Sequence, residues 1–118
     1  FHTADDQLVG YLRLCLPDSH VPADFQPARN ELFARIPELR DAALIREVHV
    51  YGQALKVGAE QSGAAQHSGL GSRLIEEAVR ISAAHGYKNL AVISAVGTRL
   101  YYEKRGFARS SLYMLRSL

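Results

Sequence analysis

Four side chains in this sequence have the chemistry for proton transfer, and one short stretch of main chain has the composition to hold an anion. Tyr101 and Tyr102 stand side by side in Tyr101-Tyr102-Glu103-Lys104-Arg105-Gly106-Phe107. A tyrosine with the ordinary pKa near 10 can act as an acid at neutral pH. Adjacent helical residues point about 100° apart, so one of the pair can face a ligand while the other packs helix to sheet. Glu47 and His49 lie two residues apart in a run that reads as a strand, so both project to one side and either could activate water or a nucleophile. Glu47 is equally suited to pair with a basic neighbour. The stretch Gln66-His67-Ser68-Gly69-Leu70-Gly71 precedes the best helical pattern in the chain. Glycines there permit tight turning and would let a phosphate approach the unpaired N–H groups of a helix N-terminus. His67 could donate to an anion, although an exposed loop histidine is the simpler reading. The stretch lacks the Lys-Ser/Thr pair of a P-loop and the Gly-x-Gly-x-x-Gly of dinucleotide folds.

Three elements must position these groups. Ala42–Tyr51 reads as a strand closed by Gly52, with Leu44, Val48 and Val50 on one side and Ile45, Glu47, His49 and Tyr51 on the other. Leu70–His85 is an amphipathic helix: Leu74, Ile75, Ala78, Val79 and Ser82 share a stripe opposite Arg73, Glu76, Glu77 and Arg80, and Gly86 stands where a left-handed cap is expected. Glu76 and Arg80 are spaced for an i,i+4 pair. Asn89–Ser94 reads as a buried central strand, Gly97–Arg105 as a shorter helix closed by Gly106, and Phe107–Leu118 as a closing strand. Residues 1–16 read as a hairpin. Residues 17–40 carry all four prolines and read as a long mobile loop with a helical turn or two around Arg29–Arg35. Leu55-Lys56-Val57 is a possible short strand in a second flexible connection over 53–65. Strand, helix, strand, helix, strand indicates an α/β domain with a mixed sheet.

At 118 residues, 47% apolar and 22% charged, the chain supports one hydrophobic core. No run approaches the roughly 20 apolar residues of a membrane helix, and the first residues lack signal-peptide character, so a cytoplasmic domain without a membrane partner is expected. One cysteine, Cys15, excludes an internal disulfide and a zinc site of its own, and reads as a small buried apolar residue. The net charge of +2 conceals an asymmetry, −3 over residues 1–85 and +5 over 86–118. Arg99, Lys104, Arg105 and Arg109 could meet coenzyme phosphates or RNA.

The two motifs together, in this order and with this helix and strand between them, resemble the GNAT acyltransferase superfamily over residues 42–118. The resemblance implies a GNAT fold, a central mixed β-sheet flanked by helices, with acetyl-CoA as co-substrate. It further implies that Gln66, His67, Ser68, Gly69, Leu70, Gly71 and Ser72 hold the pyrophosphate, with Val48, Val50 and Tyr102 also in the coenzyme site. Tyr102 is then the first candidate to protonate the departing thiolate, and Tyr101 the second. Glu47 and His49 lie beside the thioester.

A narrower similarity rests on Leu44–Gly52, Gln66-His67, Val96–Tyr102, Tyr113-Met114 and Leu8–Leu14. These segments resemble the lysine-acetyltransferase-like domain of catalytic Elongator subunits, and this similarity runs over essentially the whole chain. It implies that residues 1–118 are one domain of a longer enzyme whose N-terminal radical S-adenosylmethionine domain carries the 4Fe–4S cluster, that tRNA is the partner, and that the acetyl group serves wobble-uridine modification. A protein lysine or small-amine N-acetyltransferase, or a non-catalytic acetyl-CoA or RNA-binding module, would share much of this sequence pattern.

Overall fold

The computed structural model describes residues 1–17, 22–51 and 60–118, with 60–68 as backbone only. One five-stranded sheet runs in the order β1-β2-β3-β5-β4, built from β1 Gly10–Cys15, β2 Ala42–Val50, β3 Asn89–Val92, β4 Ala108–Arg109 and β5 Met114–Ser117. The β2–β3 pair is parallel and the others are antiparallel, so the sheet is mixed, as the order of elements predicts. Helices α1 Gln26–Arg35, α2 Glu60–Ala84 and α3 Arg99–Glu103 flank it.

Strand alternation divides the core between the two faces. Ala43 and Ile45 of β2 and Leu90 and Val92 of β3 meet Ile75 and Ala78 of α2, with Tyr87, Phe107 and Met114 closing the cluster. On the other face Ala42 and Ala91 lie under Phe33 of α1 and Leu39, joined by Leu44, Tyr113 and Leu115. Ser82, the polar member of the α2 stripe, is fully buried and donates to the Ala78 carbonyl at 2.7 Å, which removes the cost of burying its hydroxyl. Gly86 and Gly106 adopt φ of 84° and 87° as they end α2 and α3, the left-handed caps their positions predict.

Five expectations need correction. First, residues 22–40 are not a loop: α1 fills ten of them between 3₁₀ turns Ala23–Phe25 and Pro37–Leu39. Pro27 falls in the first turn of α1, where its missing N–H costs nothing, so the prolines frame structure here rather than prevent it. Phe33 and Leu39 belong to the core. Second, the closing segment is a hairpin of β4 and β5 around residues 110–113. Third, Glu76 reaches Arg116 at 2.6 Å across to β5, and Arg80 pairs with Glu77 at i,i+3.

Fourth, the faces of β2 change partway along. Arg13 lies opposite Glu47 but Leu14 opposite Ile45, so Arg46 is an extra, bulged residue. A bulge reverses the inside–outside alternation beyond it. Ile45 therefore shares the α2 face with Val48, while Glu47 and His49 lie on the α1 face with Leu44. Fifth, α2 begins at Glu60, ten residues before the expected start, and takes in Gln66–Gly71. No proline interrupts 60–71, and Ala64, Ala65 and Gln66 are good helix formers, so the helix extends over residues whose glycines read as a loop. The possible strand at Leu55–Val57 lies outside the described residues.

The hairpin turn is fastened to the start of β2 by Glu38. Its carboxylate accepts hydrogen bonds from the backbone N–H of Ser111 at 3.0 Å, Leu112 at 3.0 Å and Tyr113 at 3.2 Å, and from the hydroxyls of Ser110 and Ser111. Desolvation works to raise its pKa, but the hydroxyl and amide donors together hold it down to about 2, from an ordinary 4.5. Because the folded value is depressed, the stabilisation is complete above pH 4.5 and is lost as pH falls from there toward 2. A displacement of that size would be worth about 3 kcal/mol, and solvent screening at this partly exposed site reduces it to about 1–2 kcal/mol. Urea denaturation of Glu38→Ala should show that deficit at pH 7 and almost none near pH 2. An equal deficit at both pH values would contradict the assignment.

Candidate functional site

The parallel pairing of β2 with β3 ends at Ile45–Val92, yet β2 continues to Val50. Beyond Ile45 the β3-facing edge of β2 has no partner strand among the described residues. The Tyr51 N–H donates to the Val9 carbonyl beside β1, so by alternation the peptide groups of His49 face β1 and those of Val48 and Val50 face the open side. Two main-chain donor–acceptor units thus line a cleft where the strands part, in reach of an extended ligand carrying amides of its own.

Tyr101 stands over this cleft. Gly71 of α2 is buried, and a Cβ built on it would collide with the Tyr101 hydroxyl and lie 3.9 Å from Val50 Cγ2. The phenol oxygen therefore sits on the bare backbone of Gly71, next to the end of β2. Arg105 fixes it there: its guanidinium carbon lies 3.4 Å from the centroid of the Tyr101 ring, Nη1 donates to the Tyr101 carbonyl at 2.7 Å, and Nε donates to Ser72 Oγ at 3.0 Å. The i,i+4 spacing of Tyr101 and Arg105 signals this contact in the sequence, where Arg105 reads only as part of a basic cluster. Of that cluster, Arg109 is occupied by Glu103 at 3.0 Å, and Arg99 lines a cavity of about 160 Å³ with Ser94 and Tyr113.

Tyr102 is placed differently. Its ring meets Phe107 edge-on at 5.5 Å and Tyr101 edge-on at 5.2 Å, and it packs against the α2-side core. Burial raises its pKa, the Tyr101 phenol adds to this, and Arg105 opposes it. A raised pKa makes Tyr102 a weaker acid than an ordinary tyrosine. Of the two tyrosines read from the sequence, the geometry brings Tyr101 to the cleft and Tyr102 to the helix–sheet joint.

Glu47 and His49 are close to each other, Oε2 to Nε2 at 3.5 Å, and Glu47 also pairs with Arg13 at 3.2 Å. Both lie on the α1 face, whereas Tyr101 and Gly71 lie on the α2 face. Tyr11 and Tyr51 flank His49, and desolvation, the Glu47 carboxylate and the Tyr51 phenol together raise the pKa of Tyr11, keeping it a hydrogen-bond donor at neutral pH.

Within α2 the N–H groups of Gln66–Gly71 fall past the first turn and belong to the i→i−4 ladder, so they are not the free amides the sequence suggests. The Leu70 side chain leans toward Gly10, Gly69 has nothing within 4 Å of an added Cβ, and the side chains of Gln66, His67 and Ser68 lie outside the described residues. Gly63, Gly69 and Gly71 each weaken this stretch of helix by about 1 kcal/mol relative to alanine.

A five-stranded mixed sheet flanked by helices, with β2 and β3 its parallel pair, is consistent with an α/β domain of GNAT-like fold. The archaeal Methanocaldococcus infernus Elp3 with N-terminus deletion has the same fold over 97% of this chain, with a TM-score of 0.61 and 27% identity. The chain is 43% identical over 117 residues, 96% of its length, to Elongator complex protein 3 of Drosophila melanogaster. It is 35% identical over 119 residues, covering all of the chain, to tRNA uridine(34) acetyltransferase of Dehalococcoides mccartyi (strain CBDB1). The domain belongs to the Elongator complex protein 3 family. It spans 18% and 24% of the length of those two curated relatives and 24% of the solved archaeal chain. No family model matches the chain.

Proposed function

We propose that this domain binds acetyl-CoA in the cleft between β2 and β3 and cleaves its thioester to supply the acetyl group for modification of a wobble uridine in tRNA. The observation that carries the reading is the Tyr101 hydroxyl held against Gly71 beside the unpaired edge of β2. The amide-bearing pantetheine arm would bond the main chain of Val48 and Val50. As the incoming nucleophile, water or the acceptor, bonds the acetyl carbon, the C–S bond breaks and the departing thiolate takes the Tyr101 proton; the nucleophile gives up its own proton to solvent, and solvent reprotonates Tyr101. Glu47 and His49, on the other face, are suited to orient or activate the acceptor.

The diphosphate reading of Gln66–Ser72 asks more of the protein. The first turns of α2 must open for those amides to turn toward a ligand. Three glycines in twelve residues keep the cost of opening small, and the net charge of +5 over residues 86–118 favours a polyanion nearby. Cys15 is half-buried in β1, and a single thiolate does not hold a 4Fe–4S cluster. Radical chemistry and S-adenosylmethionine therefore belong, on this reading, to a separate domain. The described residues contain no helix long and apolar enough to cross a membrane.

Release of free CoA thiol tests the proposal. With acetyl-CoA and the remaining domain supplied, release should rise when tRNA is added. Turnover with peptides or free amines and no dependence on tRNA would assign a different acceptor, and no binding of acetyl-CoA would remove the proposal altogether.

A further inference from the structure

We infer that the ring cluster of half-buried Tyr11 with exposed His49 and Tyr51 is a seat for an unpaired RNA base, placed on the acceptor side of the sheet. Tyr11 and His49 are register partners across β1 and β2, their rings 5.0 Å apart and 26° from parallel. Tyr51 completes a triangle, 6.3 Å from His49 and 16° from parallel, and 6.3 Å from Tyr11 at a 38° tilt. The α1 layer covers the Ala42–Leu44 end of this face, and the rings occupy the end beyond it. His49 and Tyr51 are 49% and 42% exposed.

The chemistry of the surface selects the occupant. Every ring in the cluster carries a hydrogen-bonding edge, and Glu47 beside them supplies an acceptor. The most exposed of the large aliphatic side chains, Val96, Leu100, Leu112 and Ile93, lie elsewhere, on and around α3 and in the β4–β5 turn. Aromatic rings standing on a sheet are a common seat for unstacked bases, because every base has a π-face and its edges can then bond the polar groups around it. Arg13 and exposed Arg46 bring cations to the same strands. One relative of this chain is named for acting on a tRNA uridine. The inference rests on the RNA part of the proposed function and is independent of the coenzyme part.

Fluorescence anisotropy of this chain with labelled oligouridylate of about eight nucleotides tests it. The parent should bind the single strand and lose it when complementary oligoadenylate makes a duplex. Tyr11→Leu/Tyr51→Leu should weaken binding at least ~10-fold, with an unchanged salt dependence because no phosphate contact is removed. Tyr11→Phe/Tyr51→Phe should bind within about 3-fold of the parent, since stacking survives. His49→Ala provides an independent reading should the leucine pair fold poorly. Acetyl-CoA affinity measured on the two Tyr11/Tyr51 double variants should not move, so a failed coenzyme reading shows there and not in the RNA data. Parent-like RNA binding by both the leucine pair and His49→Ala, or no binding by the parent, would overturn the inference.

Discussion

Tyr101→Phe is expected to slow thioester cleavage by about 10²–10⁴-fold, the usual contribution of a positioned general acid, while acetyl-CoA binds as before. The substitution removes one oxygen and keeps the ring, and Arg105 holds that ring through a stacking contact and a bond to the main-chain carbonyl, neither of which involves the hydroxyl. The fold should therefore be unaffected. Tyr102→Phe is the internal comparison. Its ring is in the core beside Phe107, its pKa is raised, and its hydroxyl is not directed at Gly71, so its loss should change turnover far less. Single-turnover measurements of thiol release on both variants, with separate binding isotherms, decide the matter. If Tyr102→Phe shows the large defect and Tyr101→Phe the small one, the assignment of the acid is reversed.

The second large effect is expected at Gly71. Gly71→Asp should weaken acetyl-CoA binding by at least ~100-fold, about 2.7 kcal/mol. Two causes act together. A side chain at this buried position displaces the Tyr101 hydroxyl, and a carboxylate there repels the coenzyme's phosphates. Gly69→Asp separates them, because a Cβ at residue 69 meets nothing within 4 Å and brings the charge alone. Gly69→Ala supplies a third point. It strengthens α2 by about 1 kcal/mol, so if residues near 69 must leave the helix for the diphosphate, affinity should fall about 5-fold. Calorimetry on the three variants, with thermal melting to confirm that each remains folded, yields the comparison. Parent-like binding by Gly71→Asp would remove Gly71 from the coenzyme site.

Much of the fold is readable because periodicity encodes burial. The α2 stripe Ile75–Ala78–Ser82 and the short apolar β3 are buried as their patterns predict. The bulge at Arg46 is invisible to alternation counting, since one inserted residue moves Ile45 to the other side without altering composition. The helix in 22–40 is hidden for a different reason: proline in a first turn looks the same in sequence as proline in a loop. At the site, the glycines mark the right stretch of chain, and Gly71 in particular, but local composition does not decide between loop and helix when small residues and good helix formers alternate. The tyrosine pair is legible as a pair. Which member faces the cleft depends on the phase of a five-residue helix against the sheet, and only Arg105, four residues on, hints at it.

The claim on which the rest depends is that the coenzyme lies along the open edge of β2 and reaches the start of α2. Amide hydrogen exchange, residue by residue, with and without saturating acetyl-CoA, tests it most directly. Val48 and Val50 should gain protection, and the amides of Gln66–Ser72 should change with them. Unaltered exchange at both places while acetyl-CoA is bound, with protection appearing elsewhere on the chain, would contradict it.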